Sequence, residues 1–208
     1  QDSPRGLPDA FIIGEKFIDN SNVALILGDN FFYGQNLSKL LRDSANLKQG
    51  AKIILHSVKN PELFGVAKIN EKNKKILKIV EKPKKLISNY AVTGLYFFDK
   101  RVVEFAKKLK PSKRGELEII DLINQYKKIN KLSAEVIGRG GAWLDTGSIS
   151  DYYKTSAFVQ AVENRQGFKI ACLEEIALLN GWINKKNIVE AIKFYGNCEY
   201  SLYLKRLI

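Results

Sequence analysis

Apolar positions along the chain fall into alternating strand-like and helix-like runs. Residues 23–27, VALIL, are continuously apolar and end in Gly28-Asp29-Asn30, the pattern of a strand buried on both faces in a helix-covered sheet. Leu37, Leu40, Leu41 and Ala45 recur at helical spacing ahead of Gly50, and residues 52–58 read as the next strand, closed by Asn60-Pro61. Together these segments predict a βαβ unit with a right-handed crossover. Residues 65–69 and 75–80 predict a hairpin around residues 70–73, ended by Pro83, and residues 90–98 a long strand. Helices are expected over 101–109 and 117–129, the second with apolar Leu117, Ile120, Leu122, Ile123 and Tyr126, followed by a strand over 132–137. From Ser148 the spacing turns helical, over 148–163, 173–179, 185–192 and 198–207. The succession predicts an α/β fold with a helical C-terminal extension.

Composition narrows the class. A chain of 208 residues, with 45% hydrophobic, 27% charged and 11% aromatic positions, is globular, which excludes disordered, collagen-like and low-complexity classes. The apolar runs are too short to span a bilayer, so no membrane role is expected. A net charge of +12 raises the question of nucleic acid, but Lys supplies most of the cations and is spread along the chain. The densest cluster, within residues 72–85, is interrupted by Ile76, Leu77, Ile79 and Val80. A solvated Lys-rich surface is the first reading, a phosphate-rich small ligand the second and a nucleic-acid groove the third. Cys172, Cys198 and the single His56 show no metal-ligand spacing, so two reduced thiols of a cytoplasmic protein are expected. The chain contains no Met and begins with Gln1, so a preceding segment is expected; residues 1–10 lack the order of a signal peptide.

Ligands of open α/β sheets bind beyond the carboxyl ends of strands, which draws attention to Asp29. Its carboxylate, behind Gly28, suits a divalent cation, though for this segment taken alone a turn with no ligand is the preferred reading. Asp145, in GAWLDTG, is read as lying in a loop before a helix; it suits either the same cation or a helix N-cap. Glu81-Lys82-Pro83 ends a strand and could bind a sugar hydroxyl and a phosphate, but strict alternation sends the two side chains to opposite faces. Gly65 and Gly94, at or within strands, suggest a bulge or close approach. Arg114 to Glu118 places acidic residues at a helix start, where the helix dipole accounts for them.

Taken in order, GLPDAFIIG, LGDNFFYG, FGV, VEKP, SNYAVTGLYFFD, RGELEIIDLI, GRGGAWLDTGS and RQGFKIACLEEIA resemble the bacterial glucose-1-phosphate thymidylyltransferases, a branch of the sugar nucleotidyltransferases. The resemblance runs from Gln1 to about Ile192. It implies a Rossmann-like mixed sheet flanked by helices, with residues 1–163 a partial nucleotidyltransferase domain and 164–208 a helical extension packed on it. It implies transfer of a thymidylyl group from dTTP to glucose 1-phosphate, giving dTDP-glucose and pyrophosphate on the way to dTDP-rhamnose. Gln1 and Gly6 match nucleotide contacts, Asn30, Gly65, Glu81 and Val92 sugar contacts, Lys82 a phosphate-binding cation, and Asp29 and Asp145 the carboxylates of a Mg²⁺ site. Lys82, Asp29 and Asp145 are therefore the expected catalytic set. A homo-oligomer, a dimer of dimers, is implied as well.

Members of this family begin with a strand and a GGxGTRL loop, which residues 1–208 do not contain, so these residues alone are expected to be inactive and the sheet to lack a strand partner. Three segments depart from the family pattern. Pro8-Asp9 stands where relatives carry Ala-Gln, adding negative charge near the expected nucleotide; Gln35 replaces a His; Leu179-Asn180 replaces a basic pair, which weakens the expectation of feedback by dTDP-rhamnose. A nucleotidyltransferase of other base or sugar specificity, and a non-catalytic regulatory domain on the same fold, are the competing readings.

Overall fold

The computed structural model describes residues 1–208, which divide into two compact units, Gln1–Thr146 and Gly147–Ile208. In the first unit the strands are β1 (Val23–Ile26), β2 (Asn30–Gly34), β3 (Ala51–Ser57), β4 (Gly65–Ile69), β5 (Ile76–Glu81), β6 (Tyr90–Phe98), β7 (Leu132–Ile137) and β8 (Gly141–Asp145). Its helices are α1 (Asp9–Ile13), α2 (Glu15–Ile18), α3 (Leu37–Ala45), α4 (Val102–Lys107) and α5 (Ile119–Lys128). Six strands form a mixed sheet in the order β5-β4-β6-β3-β7, with β1 also paired to β6. β3 and β7 are parallel, and the other pairs are antiparallel.

β6 organises the sheet because its apolar residues serve two cores at once. Tyr96 and Phe98 pack with Phe11 of α1, Val102 of α4 and Leu122 of α5, whereas Leu95 and Phe97 pack with Ile54 and with Leu40 and Leu41 of α3. Successive residues of a strand point to opposite faces, so the sheet is sandwiched between helices, and every β6 residue after Tyr90 is buried. At the end of β6 the buried Asp99 accepts hydrogen bonds from the Gly50 N–H, the Arg101 guanidinium at 2.6 Å and the Tyr126 hydroxyl at 3.1 Å. Burial opposes its charge, but these donors outweigh that cost and hold its carboxyl below the ordinary carboxylate range.

Three expectations need correction. Residues 23–27 are not buried on both faces: β1 pairs only with β6, Ala24 is exposed and Ile26 is 59% exposed. The expected βαβ unit is split, since β1 and β3 both pair antiparallel with β6, which lies between them. β2 and β8, where the sequence reading places only a turn at residues 28–30 and a loop around Asp145, form a two-stranded antiparallel ribbon in which Gly34 faces Gly141. The hairpin of β4 and β5 is as expected, but an irregularity between Lys68 and Ile69 breaks the alternation, leaving Leu77 and Lys78 both exposed between buried Ile76 and Ile79.

The second unit holds α6 (Ile149–Gln166), α7 (Leu173–Leu179), α8 (Lys185–Tyr195) and α9 (Glu199–Leu204), ending in a 3₁₀ turn over Lys205–Leu207. The expected boundary at 163/164 therefore falls inside α6. Ser148 caps α6 by accepting from the Asp151 N–H, the role weighed above for Asp145, and Asn184 with Asn187 forms a capping box on α8. Cys172, Ile188, Tyr203 and Leu204 make the core of the unit. The Tyr195 and Tyr200 hydroxyls both donate to Glu174, and both cysteines are free thiols. No helix is long and apolar enough to cross a membrane.

Candidate active site

Seven residues singled out in the sequence line one cavity of about 220 Å³ in the first unit: Asn30, Gly65, Glu81, Lys82, Val92, Gly94 and Asp145; Asp29 does not line it. A wider groove of about 590 Å³ beside α5 gathers lysines and amides but none of these residues. The β4–β5 register sets Gly65 opposite Glu81. A side chain on Gly65 would place its Cβ 2.8 Å from Ile120 Cδ1 and 3.2 Å from the Glu81 carboxylate, so glycine keeps this wall open.

Glu81 and Lys82 share the cavity because the strand stops between them. Lys82 has φ +38°, in the left-handed region that a lysine rarely adopts, and its N–H donates to the Phe64 carbonyl at 3.1 Å. That local turn ends the alternation that sent the two residues to opposite faces. Burial pushes the Glu81 carboxyl above its ordinary value and the nearby Glu118 adds to the rise, while Lys82 and Arg114 oppose it. Arg114 in turn grips Glu118 through both carboxylate oxygens, at 2.8 and 2.9 Å. Although burial opposes its charge, hydrogen bonds from Ser112 and Arg114 hold Glu118 below the usual carboxylate range. The segment before α5 is thus electrostatically part of the site, a role that the helix-dipole reading of the sequence missed.

The ribbon joins the two aspartates. β2 and β8 pair with Asn30 opposite Asp145, and Asp29 is tied across the ribbon by the Thr146 N–H at 2.7 Å and hydroxyl at 2.8 Å, both donating to its carbonyl. Two carboxylates from segments more than a hundred residues apart are thereby brought to one end of the ribbon. Carboxylate oxygens are hard donors of the kind that suit Mg²⁺, and the chain holds no group of three or more His, Cys, Asp or Glu placed to bind a metal ion.

The expected nucleotide contacts lie elsewhere. Gln1 and Gly6 do not line the cavity; of their loop only Leu7 does. Gln1 Nε2 donates to the Gly6 carbonyl at 3.1 Å and to Asp9 at 3.0 Å, and Arg5 Nε donates to the same Asp9 oxygen at 3.1 Å. The added charge of Asp9 is therefore met within its own loop. Trp143 and Phe64, which the sequence reading did not assign to the site, form its aromatic wall, with ring centroids 5.1 Å apart.

Comparisons with known proteins identify the family of the chain. Residues 1–162 match the family model described as nucleotidyl transferase. The chain is 51% identical over its whole length to a glucose-1-phosphate thymidylyltransferase of Neisseria meningitidis serogroup A, covering 72% of it. It is 42% identical to one of Xanthomonas campestris pv. campestris, covering 70% of that protein. Among solved structures, a Bacillus anthracis chain assigned as a glucose-1-phosphate thymidylyltransferase, in complex with a sucrose, aligns with a TM-score of 0.67 and 42% identity, over 76% of this chain and 62% of that one. A UDP-glucose pyrophosphorylase complexed with UDP-glucose aligns with the same TM-score at 25% identity, over 76% and 64%. A mixed sheet flanked by helices, in a chain that these relatives match along its whole length and the family model over residues 1–162, places the chain in the nucleotidyl transferase family, among the glucose-1-phosphate thymidylyltransferases.

Proposed function

We propose that the full-length protein transfers a thymidylyl group from dTTP to glucose 1-phosphate, releasing pyrophosphate. The observation that carries this reading is the β2–β8 register, which puts Asn30 opposite Asp145 at the cavity that also holds Glu81 and Lys82. A non-catalytic domain has no need of the Asp145 carboxylate, the half-buried Glu81 and the Lys82 cation at one cavity, with Asp29, which does not line it, at the end of the ribbon, and this favours the enzymatic reading. In the proposed reaction a phosphate oxygen of glucose 1-phosphate attacks the α-phosphorus in line, the bond to the pyrophosphate oxygen breaks, and no side-chain nucleophile is needed. Lys82 orients and neutralises the attacking phosphate. Glu81 and the backbone at Val92 and Gly65 hold sugar hydroxyls, and Phe64 and Trp143 shield the cavity from water. Asp29 and Asp145 would hold Mg²⁺, which when bound neutralises charge on the triphosphate. Gln1 and Gly6 are assigned to the nucleotide by resemblance alone.

Residues 1–208 contain no glycine-rich phosphate loop, so we expect them to release no pyrophosphate by themselves. Exposed Ile149, Leu173, Leu179, Trp182 and Phe194 in the second unit support the reading of a homo-oligomer. Pyrophosphate release by the full-length protein, measured with a panel of nucleoside triphosphates and hexose phosphates, tests specificity. Preference for dTTP with glucose 1-phosphate is expected, and preference for UTP or another hexose phosphate would reassign the substrate while leaving the reaction class.

A further inference from the structure

We propose that Trp143 is a positioning residue that acts through Asn30 to aim the Asp29 carboxylate, an inference that rests on the reading of Asp29 as a metal ligand. Asn30 makes three hydrogen bonds that fix its amide. Its Oδ1 accepts from the Trp143 indole N–H at 2.6 Å and from the Gly94 N–H at 2.9 Å, and its Nδ2 donates to Asp29 Oδ1 at 2.9 Å. An amide oxygen has two lone pairs, and both are used. Rotating the amide by half a turn would set its NH₂ against two N–H donors and turn its oxygen on the Asp29 carboxylate. The two donors on Oδ1 therefore dictate that Nδ2 faces Asp29.

The chain is built into the fold. Trp143 is 8% exposed, with its ring edge-on to Phe64 and 6.4 Å from His56, so its N–H has a fixed direction. Gly94 admits the amide because a Cβ there would stand 2.5 Å from Asn30 Oδ1. Asp29 itself is exposed, and a solvent-facing carboxylate without this bond would sample several rotamers. One Nδ2 hydrogen remains, which leaves Asn30 able to donate to a sugar oxygen as well. Outer partners of this kind orient metal-binding carboxylates and tune their affinity.

The test is Mn²⁺ binding, followed by electron paramagnetic resonance on the full-length protein with dTDP-glucose present, for the wild type, Trp143→Phe and Asp29→Asn. Trp143→Phe keeps an aromatic ring and removes the donor together with the five-membered ring that carries it, and it is expected to weaken Mn²⁺ binding by about tenfold, while Asp29→Asn abolishes it. Wild-type affinity in Trp143→Phe, with binding lost in Asp29→Asn, overturns the positioning role alone. Undiminished Mn²⁺ binding in Asp29→Asn, or no saturable binding by the wild type, overturns the metal reading beneath it. The indole N–H resonance of Trp143 supplies a check that needs no Trp variant. It is expected to shift on addition of Mg²⁺ in the wild type and not in Asp29→Asn; a resonance indifferent to Mg²⁺ in the wild type contradicts the chain.

Discussion

Glu81 brings a carboxylate into a half-buried cavity where Glu118 lies near enough to disfavour its charge. Its carboxyl is raised in the folded state, so the folded protein binds that proton more tightly than the unfolded chain does. The favourable contribution is present in acid and is lost as pH rises through the folded value, which leaves the ionised group a net cost at neutral pH. Glu81→Gln is therefore expected to raise Tm at pH 7, with a gain over the wild type that shrinks as pH falls. It should also raise KM for glucose 1-phosphate by about tenfold, the cost of losing a charge-assisted hydrogen bond. Thermal melts across pH and steady-state kinetics check both halves, and a lower Tm at pH 7 would contradict the electrostatic account. Among the other site residues, Gly65 and Gly94 were visible in the sequence as glycines within strands, but not what approaches them. Ile120 and the Glu81 carboxylate crowd the first and Asn30 the second, contacts made by segments far away in the chain.

At the scale of elements, Asp99 couples the end of β6 to the start of β3 through Gly50, and to α5 through Tyr126. Its carboxyl is depressed in the folded state, so its stabilisation is present above the unfolded value and is lost as pH falls through the folded one. Asp99→Ala, which removes the acceptor of the Gly50 N–H and leaves the Tyr126 hydroxyl only the Asp99 carbonyl at 3.4 Å, is expected to cost about 3 kcal/mol in urea denaturation at pH 7. The deficit should narrow in acid. Most elements were legible from periodicity, and β6 and α7 match the predicted spans because β6 fills two cores and α7 carries one unbroken helical run. The β2–β8 ribbon was not legible, since NFFYG and GAWLD are short, glycine-bounded segments that become strands only by pairing with each other. The insertion of β6 between β1 and β3 was hidden for the same reason, as pairing across such sequence distances leaves no local trace. The left-handed turn at Lys82 was hidden too, because Pro83 marks a turn but not its hand.

For the molecule as a whole, the +12 charge resolves into solvated lysines, with Lys82 the one placed at the cavity. Family and fold were legible because eight short blocks occur in a fixed order, and relatives matched over the full 208 residues bear the family out. What no block could show is that Asp29 and Asp145 share one end of a ribbon, and the proposed chemistry depends on that meeting. The most direct test is Asp145→Asn in the full-length protein, assayed by pyrophosphate release from dTTP and glucose 1-phosphate over a range of Mg²⁺, with circular dichroism to confirm the fold. The account predicts a folded protein whose Mg²⁺-dependent turnover is reduced by about a hundredfold or more. A folded variant with unchanged turnover and unchanged Mg²⁺ dependence would contradict it.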